Sequence, residues 1–447
     1  MTEKTMLMIG ELFENKDYAS LKRIMVDEEP ADVAAIMQEC SDEEALLLFR
    51  IIPKDLAAQT FVEMDSDLQR SFIEKFSDRE ITEMLDEMFV DDTVDIIEEM
   101  PANVVKRILS NSSPETRSII NQILKYPKDS AGSIMTTEFV ELRAHMTVEE
   151  ALERIRVTGL DKETIYTCYV TDDSRKLIGV VTVKDMILGG YDIEVSDIME
   201  TSIISADTHM DKEEVVKLLD RYDFLALPVV DTENRLVGII TFDDAMDVMR
   251  DEDSEDIAIM AAVTPSEKPY LRTGVFEVFF NRVPWLLLLM VSSTLTSNIL
   301  LSFQNALAAQ AALIAYIPMI MGTGGNAGGQ ASVTVIRGLS LGDIELKNIF
   351  TVIWKEIRVA VLCGIALALV NFGKLMLLDG VGAVVAAAVS VTLVLTVIIA
   401  KSVGCALPII VKRIGLDPAV MASPFITTIV DAISLLVYVS AAGLMLS

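Results

Sequence analysis

Five long apolar stretches follow Arg282, at about 284–301, 307–335, 359–378, 381–411 and 419–446. Some 20 apolar residues suffice for a helix to cross a bilayer, and in lipid only helices or closed barrels satisfy every backbone group. The back of the chain is therefore expected to be an α-helical transmembrane domain with five spans, residues 281–447. Charge divides the molecule at the same place. The part after residue 282 holds only six of the 67 acidic residues and eight of the 37 basic ones, so residues 1–282 carry a formal charge of −32 and the remainder +2. A front part of this size can bury cores of its own, with a length suited to roughly two domains. Its acidity excludes nucleic acid as a partner, which needs positive charge, and it would be repelled by an anionic leaflet unless cations intervene.

Short-loop basic residues set the expected topology. Arg282, the 337–358 connection and Lys412–Arg413 fall on one side of five crossings, while the loops around 303–306 and 379–382 contain no Lys or Arg. The positive-inside rule then places the acidic domains in the cytosol and the C-terminus outside, in a multi-pass protein of the cell membrane surrounded by lipid. The first ten residues lack a basic n-region and long apolar h-region, so no cleaved leader is expected. Cys40, Cys168, Cys363 and Cys405 are scattered without a CxxC pair, which fits a reducing compartment. An odd number of spans disfavours an antiparallel internal repeat, so a pore would need a second copy of the chain.

Asp431 is the one charged residue of the last stretch. A carboxylate at that depth costs at least about 2.5 kcal/mol, so such residues line wet paths or meet a partner. Ser423, Thr427, Asp431, Ser434 and Tyr438 are spaced by four, four, three and four, which places them on one helical face. The alternative is a carboxylate that is protonated, or paired with Lys374 or Lys401. In the second stretch, five glycines between Gly322 and Gln330 surround Asn326. Small residues four apart allow close helix packing; equally, the glycines could unwind the helix and expose carbonyls to an ion path. Asn326 and Gln330, four apart on one face, favour a lined path.

Residues 1–128 alternate short apolar-periodic helices with breaks, and Pro30, Pro53, Pro101 and Pro114 with Ser41, Ser77 and Asp91 mark helix starts. This predicts an all-α superhelical N-domain whose methionines form core. Residues 129–250 contain a repeat: Ile134-Met135 corresponds to Ile198-Met199, and 177–185 (LIGVVTVKD) to 236–244 (LVGIITFDD). This resembles an α/β CBS-domain pair, a regulatory module. The resemblance implies that Thr182, Asp185 and Thr241 could hold a nucleotide such as ATP; the same residues could instead cap the following helices. Beyond them, Asp244, Asp247 and Asp251 share a helix face, where like charges are destabilising unless a cation sits among them. No EF-hand glycine is present. A connecting, plug-like helix is expected over 251–280.

The order of parts, with 325–330 (GNAGGQ) in the second stretch and 424–431 (PFITTIVD) in the fifth, resembles the MgtE family of magnesium transporters over essentially the whole chain. The resemblance implies a homodimer with a pore on its two-fold axis. There Asp431 would hold hydrated Mg2+, with Ser423 and Thr427 lining the path; some relatives carry an amide at the position of Ser423. Mg2+ dehydrates reluctantly, which suits a wide site of carboxylates and hydroxyls. The resemblance further implies regulatory Mg2+ bound by some of Asp211, Glu213, Asp223, Asp244, Asp247, Glu252, Glu255, Asp256 and Asp417, closing the pore when the ion is abundant. Two other readings stay open, a nucleotide-sensing membrane receptor and a proton-coupled carrier. An enzyme is not expected: His145 and His209 are the only histidines, neither beside an activated Ser or Cys, and no phosphate loop is present.

Overall fold

The computed structural model describes residues 3–266, 270, 273–303, 311–421 and 423–446, with no side chains described at 3–7, 311–312, 423 and 442–446. It divides into two units, Met1–Arg250 and Asp251–Ser447.

The first unit opens with ten helices among the described residues, α1 (Glu3–Glu14) to α10 (Pro114–Ile123). Ser41 and Ser77 cap their helices through reciprocal boxes with Glu44 and Glu80, which satisfies the first free N–H groups of each helix. Asp91 does not. The N-cap of α8 (Val90–Glu99) is Phe89, which makes no side-chain cap bond. Instead, the Val90 N–H donates to Glu138 Oε2 at 3.1 Å, a carboxylate supplied from beyond α10. Phe49, Phe61, Phe72 and Phe76 form an aromatic cluster, and Met25 and Met37 are fully buried, so the methionine stripe is core.

The repeat folds twice into one topology. Strands β1 (Glu141–Arg143), β2 (Thr167–Thr171) and β3 (Leu177–Thr182) form a sheet with β1 parallel and β3 antiparallel to β2. Two helices interleave, α11 (Val148–Thr158) before β2 and α12 (Val183–Leu188) after β3; a short α13 (Val195–Ile198) follows. Strands β4 (Ala206–Asp207), β5 (Ala226–Val230) and β6 (Leu236–Thr241) repeat the pattern around α14 (Lys212–Tyr222). Each repeat also lends a segment to the other sheet: Thr136 bridges to Ile239, and Glu200 to Val180. That exchange explains the repeated Gly and Met. A Cβ on Gly179 would lie 2.4 Å from Met199 Sδ, and one on Gly238 would lie 2.7 Å from Met135 Sδ.

Helix α15 (Phe242–Met260) follows β6 without a break. The connecting helix expected over 251–280 is thus not one element. Its first part belongs to α15, a left-handed turn at Ala262 (φ 54°) intervenes, and its last residues open α16 (Val275–Ser302).

The second unit continues with α17 (Ala311–Ile314), α18 (Ile317–Ser340), α19 (Ile349–Leu377), α20 (Ala383–Arg413) and α21 (Ser423–Leu446). Among the described residues, four helical stretches are long and apolar enough to cross a membrane: Val275–Ser302, Leu346–Leu377, Ala383–Arg413 and Pro418–Ala441. The remaining expected span, the second in chain order, corresponds to α18. It is 24 residues long, or roughly 36 Å at 1.5 Å per residue, but its glycines, Asn326, Gln330 and Arg337 leave it outside that set. The start of that stretch, 307–310, lies outside the described residues. α18 packs against α20 and α21, α19 against α20, and α16 mainly against α21.

Candidate functional site

In the membrane unit the glycine run is a continuous helix, so close packing prevails over unwinding. A Cβ on Gly324 would meet Ser434 Oγ at 2.7 Å and Thr396 Cγ2 at 2.8 Å, and one on Gly325 would meet Thr427 Cγ2 at 3.0 Å. A Cβ on Gly404 of α20 would come within 2.2 Å of the Gly328 carbonyl oxygen. These glycines let three helix backbones approach around the middle of α18. Asn326 and Gln330 lie on the opposite, exposed face of that helix. Thr427 is therefore packed at the glycine seam, and the two amides are presented outward.

The expected wet stripe of α21 divides in two. Ser434 is 2 % exposed beside Gly324, and Tyr438 is 1 % exposed with its hydroxyl donated to the Leu313 carbonyl at 2.9 Å. Both are interior, because glycines on α18 allow α21 to settle against it. Thr427 and Asp431 are half-buried; the side chain of Ser423 lies outside the described residues. Asp431 Oδ1 is buried without a hydrogen-bond partner. The two lysines set against it as possible partners are engaged elsewhere: Lys374 Nζ lies 2.8 Å from Asp379 Oδ2, and Lys401 Nζ 3.3 Å from Glu356 Oε2. Just before α21, Asp417 Oδ1 accepts from the Ala419 N–H at 2.7 Å, and Ser332 Oγ donates to the Met421 carbonyl at 3.0 Å.

In the cytosolic unit most of the expected regulatory acids have local duties. Asp211 caps α14 by accepting from the Glu213 N–H at 2.9 Å, and Glu213 pairs with Lys217 at 2.6 Å. Asp223 terminates α14 in the left-handed conformation. Asp247 pairs with Arg250 at 2.8 Å. Thr182 and Asp185 form a capping box on α12, and Thr241 Oγ1 donates to Asp244 Oδ2 at 2.5 Å, so the expected nucleotide residues serve as caps here. Glu252, Glu255 and Asp256 lie along the C-terminal half of α15.

Asp244 is different. It is half-buried, and facing it are acids not expected from the sequence, Asp91 and Asp92 of α8 and Glu163 before β2, with Glu138 before β1 beside those three. Asp91 is 8 % exposed. Burial, then the charge of Asp244, pushes the Asp91 carboxyl well above its ordinary range and that of Asp92 to about 7. The same two causes raise Glu163 to about 8. Asp244 itself rises to about 6, mainly by burial and against the Thr241 hydrogen bond. Asp95, one turn along α8 and open to solvent, shifts in the same direction. Asp91 Oδ1 and Glu163 Oε2 are buried without hydrogen-bond partners. Crowded, partly desolvated carboxylates of this kind call for protons or cations. Among the described residues no three Asp, Glu, His or Cys converge closely enough to ligate one bare ion. The available signal was α8 itself, with five acids in ten residues and no base.

Residues 28–129 match the MgtE intracellular N domain, 131–189 and 195–251 match CBS domains, and 317–441 match the MgtE divalent cation transporter domain. The magnesium transporter MgtE of Thermus thermophilus is 35% identical over all of this chain and 99% of its own length. The chain belongs to the MgtE family. The Bacillus subtilis magnesium transporter MgtE is 34% identical over 93% of this chain and 92% of its own. Among solved structures, the cytosolic domain of the Mg2+ channel MgtE in complex with ATP is 33% identical, with a TM-score of 0.52, and covers 54% of this chain and 99% of that one. The soluble part of a magnesium transporter, 29% identical, also has a TM-score of 0.52, over 56% and 98%.

Proposed function

We propose that this chain conducts Mg2+ across the cell membrane as a homodimer, and that cytosolic Mg2+ closes it. The observation that carries the reading is Asp431: a half-buried carboxylate in an apolar helix, with one oxygen unsatisfied and the lysines of the other apolar stretches, Lys374 and Lys401, committed to Asp379 and Glu356. Two copies related by a two-fold axis would offer two carboxylates and match the charge of a hydrated Mg2+. Ser423 and Thr427 would add hydroxyls, and the outward amides Asn326 and Gln330 would line the same path.

A second copy is supported by apolar surface on the CBS pair. Leu160, Ile187, Leu188 and Tyr191 are 64–91 % exposed there, more than a lone soluble surface ordinarily leaves open. Closure would follow from cations settling in the acid seam of Asp91, Asp92, Glu138, Glu163 and Asp244. Relieving their repulsion favours the compact arrangement and biases α15, which continues into the membrane unit. A ligand shifts such an equilibrium only by binding one state more tightly. ATP, bound by the related cytosolic domain, would act here in the CBS cleft at Thr182, Asp185 and Thr241 once these release their capping partners. The N-terminal domains lie in the cytosol and the C-terminus outside on this reading.

The test is Mg2+ uptake into liposomes by the full-length chain. Asp431→Ala and Asp431→Asn should both reduce flux to background while leaving the dimer folded. Normal flux in either would remove the assignment, and an imposed proton gradient that drives uptake would favour a proton-coupled carrier.

A further inference from the structure

We propose that Trp285 is a positioning residue that ties the end of the regulatory helix α15 to α21, the helix bearing Asp431; this rests on the self-inhibited reading above. α15 closes with the Ala262 N–H donated to the Ile259 carbonyl at 2.9 Å and the Val263 N–H donated to the Ala258 carbonyl at 3.0 Å. Glycine usually occupies the turning position of this termination. Here Ala262 holds it at φ 54°, a conformation that disfavours any residue with a Cβ. The exit from α15 is therefore held by its surroundings rather than by local preference.

Two residues later the chain meets α16. Thr264 donates its N–H to the Asn281 carbonyl at 2.9 Å, and its Oγ1 accepts from Trp285 Nε1 at 3.3 Å. Pro284 brings no N–H, so within this turn of α16 it is the Phe280 carbonyl, one residue before Asn281, that lacks its ladder bond. The Trp285 ring then meets Phe425 edge-on, with centroids 6.0 Å apart and planes at 79°, an arrangement aromatic rings favour. Phe425 stands six residues before Asp431 on α21. α16 has no buried residue and rests mainly on α21, so this ring contact belongs to its principal attachment. A chain of direct contacts thus runs from the end of α15 through Thr264, Trp285 and Phe425 into α21. Displacement of α15 reaches Asp431 along it, because helices transmit motion as rigid elements.

The experiment records Mg2+ flux through the full-length protein in liposomes while Mg2+ on the side of the cytosolic domains is varied. Thr264→Val removes the acceptor and keeps the shape; Trp285→Phe removes the donor and keeps a ring. Both should leave flux at low cytosolic Mg2+ within about two-fold of wild type and raise the midpoint for suppression by about five-fold or more. Thr264→Ser, which keeps the hydroxyl, should retain the wild-type midpoint. In a Trp354→Phe background Trp285 is the one tryptophan, and its emission should shift with cytosolic Mg2+ at the midpoint of flux suppression. Wild-type midpoints in both Thr264→Val and Trp285→Phe overturn the relay alone and leave Trp285 as an interfacial anchor. A wild-type chain whose flux ignores cytosolic Mg2+ overturns the relay and the self-inhibited reading together.

Discussion

In the membrane unit, charge is scarce and mostly matched, Glu356 by Lys401 and, at a loop, Asp379 by Lys374, with Asp431 left holding an unsatisfied oxygen. In the cytosolic unit charge is abundant and, around α8, unmatched: Asp91, Asp92, Glu138, Glu163 and Asp244 crowd together with their carboxyls held toward the neutral form. The difference teaches how a carboxylate announces a cation. In lipid a single unpaired one is informative, because each costs kilocalories and most are paired. In a chain of net charge −30 single acids say little, and the signal is several of them desolvated in one place.

Four measurements would break or sharpen that contrast. The largest effect is expected from Asp431→Ala, where flux should fall to background in the uptake assay. Next is Lys401→Ala, which would strand Glu356 in a setting where the pair is only 8 and 14 % exposed. Removing one partner of a buried pair costs about 3–5 kcal/mol. A lower melting temperature in detergent should show this, and Lys401→Met with Glu356→Gln should recover much of it. If the single variant melts like wild type, membrane charge here is not matched for stability.

Gly404→Ala comes third. The added methyl would clash with the Gly328 carbonyl, and overpacking typically costs about 1–3 kcal/mol, again read as a lower melting temperature. The smallest effect concerns the seam. Its carboxyls, raised to about 6 for Asp244, 7 for Asp92 and 8 for Glu163, hold protons that the unfolded chain has released. Stability should therefore fall as pH rises from roughly 4 through 8 in divalent-free buffer. Asp92→Asn should flatten that dependence and reduce the stabilisation that Mg2+ gives at pH 8. The change should be about 2–4 °C in melting temperature for about 1 kcal/mol. An unchanged pH profile in Asp92→Asn would show that Asp92 takes up no extra proton on folding and would remove it from the seam.

Much of this architecture could be read without coordinates. The repeat at 177–185 and 236–244 became two sheets of one topology, and Ser41 and Ser77 capped helices as expected. Asp91 misled, because a cap was supplied from Glu138, nearly fifty residues away. The stripe on α21 misled as well. Periodicity put Ser434 and Tyr438 on the face of Asp431, but only the glycines of the facing helix decide how much of that face is covered.

Local chemistry, then, was enough to mark the apolar helices, the repeated module and the lone acid at membrane depth, since each depends on residues adjacent in the chain or one turn apart. The acid seam, the outward placement of Asn326 and Gln330, and the contact of Thr264 with Trp285 were decided by tertiary structure. Burial and partnership depend on which distant segments meet, and spacing along one strand of sequence carries no record of that.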